Sequence, residues 1–167
     1  MAYFPLFMDL TGKRVLVVGA GTVASRRIRV LADFGASVTV TAPEVSDEIA
    51  HMAEEGKIRL FYSDYQSRRK ELLSEEPFYL VLTASGNEEA DRLAESDGRQ
   101  MGALVNVAGD RHRSDFYFPG IAREGTLTAG ITAEGNDHTM ARRAAEGLRE
   151  FLKEQSRNGQ KGNIQQE

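Results

Sequence analysis

Two stretches of this chain hold residue types at spacings that do chemistry. The first is Gly19-Ala20-Gly21-Thr22-Val23-Ala24, which follows directly on the apolar run Val15 to Val18. It has the form G-x-G-x-x-A between a strand-like run and a segment of helical spacing. In that setting Gly19 permits a tight turn, Gly21 leaves room for a pyrophosphate against the backbone, and Ala24 lets the helix pack close to the strand. The N–H groups and dipole at the helix start would hold the phosphates, which makes a dinucleotide the expected ligand. The bland alternative is a structural strand-to-helix turn. The second stretch, Gly109 to Asp115, is a polar loop that gathers Asp110, Arg111, His112, Arg113 and Asp115.

Composition limits what these residues can be part of. The chain has 167 residues, enough for one α/β domain and a small appendage. Apolar residues make up 41%, which supports a real core, and the net charge of −4 gives no global basic field for nucleic acid. There is no cysteine, so disulfides, thiolate metal sites and a cysteine nucleophile are excluded, and a reducing cytoplasm is the compartment expected. The start, Met1 to Leu10, carries Asp9 and no basic leader, so a signal peptide is not expected. No run is long enough to span a membrane.

The elements that must position the glycine turn alternate between the two periodicities. Residues 13–18 read as the first strand. A helix over 22–34 has Val23, Ala24, Ile28, Leu31 and Phe34 on one face and Gly35 as its C-terminal cap. Its Arg26, Arg27 and Arg29 read as a solvated face, with Arg26 near enough to the helix start to reach a phosphate. Ser37 to Thr41 is a second strand. A helix over 47–55 capped by Ser46 follows, then a third strand over 58–62. Residues 64–76 read as a charged surface connection with a short helix, 78–83 as a buried strand, 87–100 as a polar-faced helix and 103–107 as a fifth strand. This rhythm predicts an α/β fold, a Rossmann-type doubly wound parallel sheet over residues 1–113.

In such a sheet ligands bind beyond the strand C-termini. The expected cofactor-binding set is therefore Gly19, Ala20, Gly21, Thr22 and Val23, with Ala42 and Pro43, Thr83, Ala84 and Ser85, and Asn106. The second strand ends in Thr41-Ala42-Pro43 with Glu44 just beyond, so the usual acidic partner for the ribose is displaced. No basic residue stands there for a 2′-phosphate, which favours NAD over NADP.

After Ala108 the pattern changes. Phe116 to Pro119 and Thr126 to Thr132 read as two strands, and Asn136 or Asp137 as the cap of a helix to about Lys153. That helix has an apolar stripe of Met140, Ala141, Ala144, Leu148, Phe151 and Leu152. A two-stranded unit with one helix is too small to fold alone. Residues 114–154 are thus expected to be a small α+β dimerisation segment, with a homodimer formed through 116–153. Residues 155–167 read as a disordered tail.

Taken together, Phe4-Pro-Leu-Phe, the run Val-Leu-Val-Val-Gly-Ala-Gly-Thr-Val-Ala-Ser-Arg-Arg, and Asn106-Val-Ala followed by Asp115-Phe-Tyr-Phe-Pro resemble the precorrin-2 dehydrogenases of siroheme synthesis. Ile131-Thr-Ala-Glu-Gly and Met140-Ala-Arg match in position too. The resemblance covers about residues 3–153. It implies NAD-dependent oxidation of precorrin-2 to sirohydrochlorin. Some members also insert ferrous iron, so a bifunctional dehydrogenase and ferrochelatase is an alternative. In the family an acidic residue follows the Asn-Val-x triplet. Here that position is Gly109, and Asp110 comes one residue later. A non-catalytic NAD-binding sensor or scaffold therefore stays open as well.

The resemblance makes Asp110 and His112 the candidate catalytic residues, Asp110 as base and His112 for proton handling during chelation, with His138 a further candidate there. The bland reading of Asp110 is a loop aspartate bonding its own backbone. Precorrin-2 carries eight carboxylates, which makes Arg111, Arg113 and Arg142 the expected substrate-binding residues, with Arg123 and Arg143 near them in sequence. No tight metal site is expected.

Overall fold

A computed structural model describes residues 4–133 and 138–163. They fall into two compact units. One is Met8–Tyr117, and the other holds the described residues up to Phe7 and from Phe118 on.

The larger unit contains β1 (Arg14–Val18), α1 (Thr22–Asp33), β2 (Ser37–Thr41), α2 (Asp47–Glu54), β3 (Arg59–Phe61), α3 (Tyr65–Ser74), β4 (Leu80–Thr83), α4 (Glu88–Gln100) and β5 (Leu104–Val107). The strands form one parallel sheet in the order β3-β2-β1-β4-β5, a Rossmann-type arrangement. β1 is central, and Val15 to Val18 are at most 1% exposed, as a strand covered on both faces requires. Side-chain alternation then assigns the faces. Leu16, Val18, Val81, Val105 and Val107 lie in one core cluster with Tyr65 and Leu72 of α3 and Ala94 of α4. The register pairs Leu82 with Asn106 and Val17 with Leu82, one residue out of step, so this row points to the other face.

The order reverses between β1 and β4. β1 pairs with both β2 and β4, and the chain after β3 crosses back over the sheet to enter beside it. That reversal opens a crevice between the loops that leave β1 and β4.

β5 is an edge strand, and its rim is covered without a sixth strand. The Val105 N–H donates to Asp115 Oδ2 at 2.8 Å, and the Asp115 N–H returns a bond to the Val105 carbonyl at 2.8 Å. The Val107 N–H donates to Ser114 Oγ at 3.0 Å. The loop after β5 thus folds back along the edge and satisfies donors that would otherwise invite another strand. This is why residues 114–117 group with the sheet, whereas the sequence placed the boundary after residue 113.

Residues 65–74 form a ten-residue helix that carries buried structure, more than a surface connection. Tyr65 is 1% exposed, and its hydroxyl donates to Asp97 Oδ2 at 2.8 Å. Arg69 of the same helix makes two bonds to Asp97, at 2.7 and 2.8 Å. The Arg69 guanidinium and then the Tyr65 hydroxyl hold the Asp97 carboxyl below the usual carboxylate range, against the opposing effect of burial. Burial, and then the hydrogen bond to Asp97 and its charge, push the Tyr65 hydroxyl up.

The smaller unit is a hairpin of β6 (Gly120–Glu124) and β7 (Leu127–Ile131) with helix α5 (His138–Asn163). The first strand lies after Pro119, not over 116–119. A proline has no N–H for the ladder, whereas Gly120 to Glu124 pair fully with Leu127 to Ile131 across a two-residue turn. α5 runs through residue 163, past the expected end near Lys153 and into the stretch read as tail. Its start capped by Asn136 or Asp137 lies outside the described residues. Of the expected stripe only Leu152 is buried, and Met140 and Phe151 are 58% and 53% exposed; the other buried residue of the helix, among those described, is Ala145, which stands outside the expected stripe beside Ala144. Arg149 donates to the Ile121 carbonyl at 2.7 Å and ties helix to hairpin. Among the described residues no helix is long and apolar enough to cross a membrane.

The Tyr65–Asp97–Arg69 group yields a stability prediction. Tyr65→Phe removes one bond to a charged acceptor and should cost roughly 1.5–3 kcal/mol in urea unfolding. Asp97 has a lowered folded-state pKa, so its contribution is complete above the unfolded value of about 3.9 and is lost as pH falls through the folded value. Asp97→Asn should therefore be clearly less stable than wild type near neutral pH, with the gap closing in acid. A gap of constant size across that range would contradict the assignment.

Candidate functional site

The turn after β1 is shaped by a close approach. Gly19 has φ +103°, and its N–H donates to the Thr41 carbonyl at 2.9 Å. A Cβ there would lie 2.4 Å from the Ala84 carbonyl oxygen and 2.6 Å from Ser85 Cα. Those atoms are backbone, so no side chain can rotate away. The Ala84 N–H in turn donates to the Val18 carbonyl at 2.8 Å, and the Ala108 N–H to the Thr83 carbonyl at 2.8 Å. The ladder thus continues past the strand ends and holds the loops after β1, β4 and β5 side by side.

Gly21 is the opposite case. It is exposed, has no atom within 4 Å of where a Cβ would stand, and is the N-cap of α1 with φ −67°. Gly21 supplies no side-chain oxygen, and no acidic residue lies in the first turn of α1. The other helices of this unit are capped by their own side chains, α2 by Ser46, α3 by Asp64 and α4 by Asn87. At α1 the N–H groups of the first turn and the positive end of the dipole therefore have no capping side-chain oxygen among the described residues, and the space beside Gly21 is open. Thr22 and Val23 are exposed on the same turn, whereas Ala20 is buried and its carbonyl accepts from Ser25 Oγ at 2.9 Å. Ser25, not singled out in the sequence, is the pin that fixes the loop from beneath.

The remaining expected cofactor residues divide. Ala42 is buried and its N–H bonds the Phe61 carbonyl at 3.1 Å, while Pro43 is exposed at the end of β2. Thr83 is fully buried, with no hydrogen-bond partner for its hydroxyl among the described residues, so its side chain does not line the open crevice. Ser85 is exposed, but its hydroxyl donates to Asp91 Oδ1 at 2.7 Å and accepts from the Asn87 N–H at 3.1 Å. Asn106 is buried on the α1 face. Its Oδ1 accepts from Arg27 at 2.6 Å, and its Nδ2 donates to the Phe116 carbonyl at 2.7 Å. Both ends of this amide are thus used inside the fold. Arg27 is correspondingly not on a solvated face: it is half-buried, and that burial lowers its pKa.

The polar loop forms a single 3-10 turn, Arg111–Arg113. Gly109 enters it with φ +85°, and the Asp110 carboxylate caps it by accepting from the His112 N–H at 2.9 Å. Asp110 is half-buried, and Arg111 and His112 are exposed. Arg113 binds Glu95 of α4 through Nε at 2.8 Å and through a second, shorter contact, and Arg99 bonds both Asp115 and the Arg113 carbonyl. Arg113 is therefore a structural tie between loop and helix. Arg142, in the smaller unit, is exposed and 3.6 Å from Glu146 one helical turn on. No sequence signal announced the pairing of Arg113 with Glu95, of Tyr65 with Asp97 or of Asp115 with the Val105 N–H, which join residues 18, 32 and 10 positions apart.

A glycine turn, an uncapped helix start and the reversal point of a parallel sheet together define a Rossmann-type dinucleotide-binding domain. The chain belongs to the family described as "Putative NAD(P)-binding", whose model matches residues 6–120. Among curated relatives it is 32% identical over 149 residues to a "Probable multifunctional siroheme biosynthesis protein HemA" of Ruminiclostridium josui, a match over 89% of this chain and 28% of that protein. It is 34% identical over 152 residues to "Siroheme synthase 3" of Aeromonas hydrophila, covering 91% of this chain and 31% of the relative. The chain thus spans under a third of the length of these relatives. Among solved structures it is similar to "SirC, precorrin-2 dehydrogenase", with a TM-score of 0.72, 27% identity and coverage of 90% of this chain and 74% of the other.

The two glycines should separate under mutation. Gly19→Ala meets backbone atoms and a positive φ, and should lower stability by about 2–4 kcal/mol in denaturant unfolding. Gly21→Ala enters open space at an ordinary φ and should stay within about 1 kcal/mol of wild type. Equal losses in the two variants would contradict this division.

Proposed function

We propose that this protein is an NAD-dependent dehydrogenase that oxidises precorrin-2 to sirohydrochlorin. The observation that carries the dinucleotide half of the proposal is the uncapped start of α1 above the open position of Gly21. The resident residues fit the cofactor there: the first-turn N–H groups of α1 would hold the pyrophosphate, and Gly21 gives it room. The exposed Glu44 beyond β2, with no Lys or Arg between Thr41 and Ser46, supports NAD over its 2′-phosphorylated form. The substrate half rests on the siroheme synthases and on the precorrin-2 dehydrogenase that the chain is similar to.

When bound, the dinucleotide would supply the hydride acceptor, which would leave one proton of the tetrapyrrole for a group of this chain to remove. Asp110 is the carboxylate proposed to take it. Its hydrogen bond from the His112 N–H holds it in one orientation on the loop beyond β5. Arg111 and Arg142 are the cations proposed to meet the substrate's carboxylates, both being exposed. Arg113 is engaged with Glu95 and supports the loop instead. A homodimer through residues 116–153 is part of the proposal. Leu127 and Phe151, 56% and 53% exposed on the smaller unit, supply apolar surface for it, and sedimentation should give twice the monomer mass. A cytoplasmic setting is proposed with it.

A second reading, a binding module without turnover, is favoured by Gly109 standing where the family has its acid and by Asp110 serving as a turn cap. Anaerobic absorbance with fresh precorrin-2 distinguishes the two. The sirohydrochlorin spectrum should develop only with NAD⁺, and Asp110→Ala should slow it by about 10²-fold with the KM for NAD⁺ little changed. NAD⁺ binding without conversion in the wild type would establish the module instead.

A further inference from the structure

β3 ends at Phe61, in register with Thr41 of β2. The chain then turns about a single residue: the Ser63 N–H donates to the Phe61 carbonyl at 2.9 Å, an i to i+2 turn centred on Tyr62. The same carbonyl accepts from the Ala42 N–H at 3.1 Å, and the Thr41 hydroxyl donates to the Ser63 carbonyl at 2.7 Å. Backbone on both sides of Tyr62 is thus fastened to the end of β2. The tyrosine itself is 65% exposed, in contrast to Tyr65, which is 1% exposed three residues later. The other ring at this corner is already occupied: Phe61 has the Arg59 and Arg68 guanidiniums 4.6 and 4.9 Å from its centroid.

We infer that Tyr62 is the platform on which the adenine of the dinucleotide stacks. The inference rests on the dinucleotide reading above. With the pyrophosphate at the turn after β1, the adenosine half of a Rossmann ligand runs toward the end of β2, where the ribose is normally met by a carboxylate. This chain has Thr41-Ala42-Pro43 at that point, with the carboxylate of Glu44 displaced one residue beyond, so the strand end itself carries no charged anchor. β3 is the next strand outward, about 4.8 Å away, and the residue that leaves it is an exposed aromatic on a fixed backbone. A flat ring carried on backbone that is fixed before binding supplies contact area without an added cost of ordering the loop. Stacking on it suits a purine, which needs no hydrogen-bond partner there.

The test is calorimetric titration of NAD⁺ and of ADP-ribose into wild type, Tyr62→Ala and Tyr62→Phe. Tyr62→Ala should bind both ligands more weakly by the same factor, roughly 5- to 150-fold, the range of one base–aromatic stack. Tyr62→Phe keeps the ring and should bind like wild type. NAD⁺ bound equally well by Tyr62→Ala would overturn the inference and leave the dinucleotide reading standing. So would a loss for NAD⁺ that ADP-ribose does not share. A wild-type protein that binds neither ligand would overturn both.

Discussion

The structure depends on two strand ends that touch with no side chain between them. Where Gly19 faces Ala84 and Ser85, backbone stands 2.4–2.6 Å from where a Cβ would be. This contact lets the loops after β1 and β4 leave the sheet together, although the strands belong to opposite halves of the winding. Once they are joined, the crevice has a floor. Gly21 lies two residues further on, in open space, and α1 begins there without a cap. The same motif thus contains two glycines with different duties. One is required by packing and the other leaves room for a ligand.

Charge is spent differently on the two sides of the sheet. On the α3–α4 side, carboxylates are matched internally: Asp97 by Arg69 and Tyr65, Glu95 by Arg113 and Arg99, Asp115 by Arg99 and the β5 backbone. These pairs fasten the loop after β5 and close an edge that other sheets of this type cover with a further strand. At the start of α1 there is no carboxylate in the first turn and no capping oxygen. An anion is the chemical complement of that end.

The elements and the glycine turn were legible in the sequence because they are local. Apolar runs of period 2 or 3.6 and a G-x-G-x-x-A at their junction need no knowledge of distant residues. A parallel sheet could be expected from the alternation, and the five strands form one. What the sequence did not reveal is which polar side chains are already taken. Asn106, Ser85 and Arg113 were expected at the ligand, and each is engaged by a partner in the fold: Arg27, Asp91 and Glu95. Arg27 sits 79 positions from Asn106, and nothing local marks it among three neighbouring arginines. The hairpin was misplaced for a local reason, the missing N–H of Pro119. The long α5 was cut short because its polar C-terminal stretch has the composition of a tail.

The central claim is that the crevice between the β1 and β4 loops receives a nicotinamide dinucleotide by its phosphates. The most direct measurement is an amide-resolved NMR titration of the labelled protein with NAD⁺. The account predicts that the largest shifts fall on the amides of Gly21 to Ala24, with a second group at Ala84 to Gly86. Shifts confined to other parts of the sheet unit, such as the α3–α4 side around Asp97, or none at millimolar NAD⁺, would contradict it.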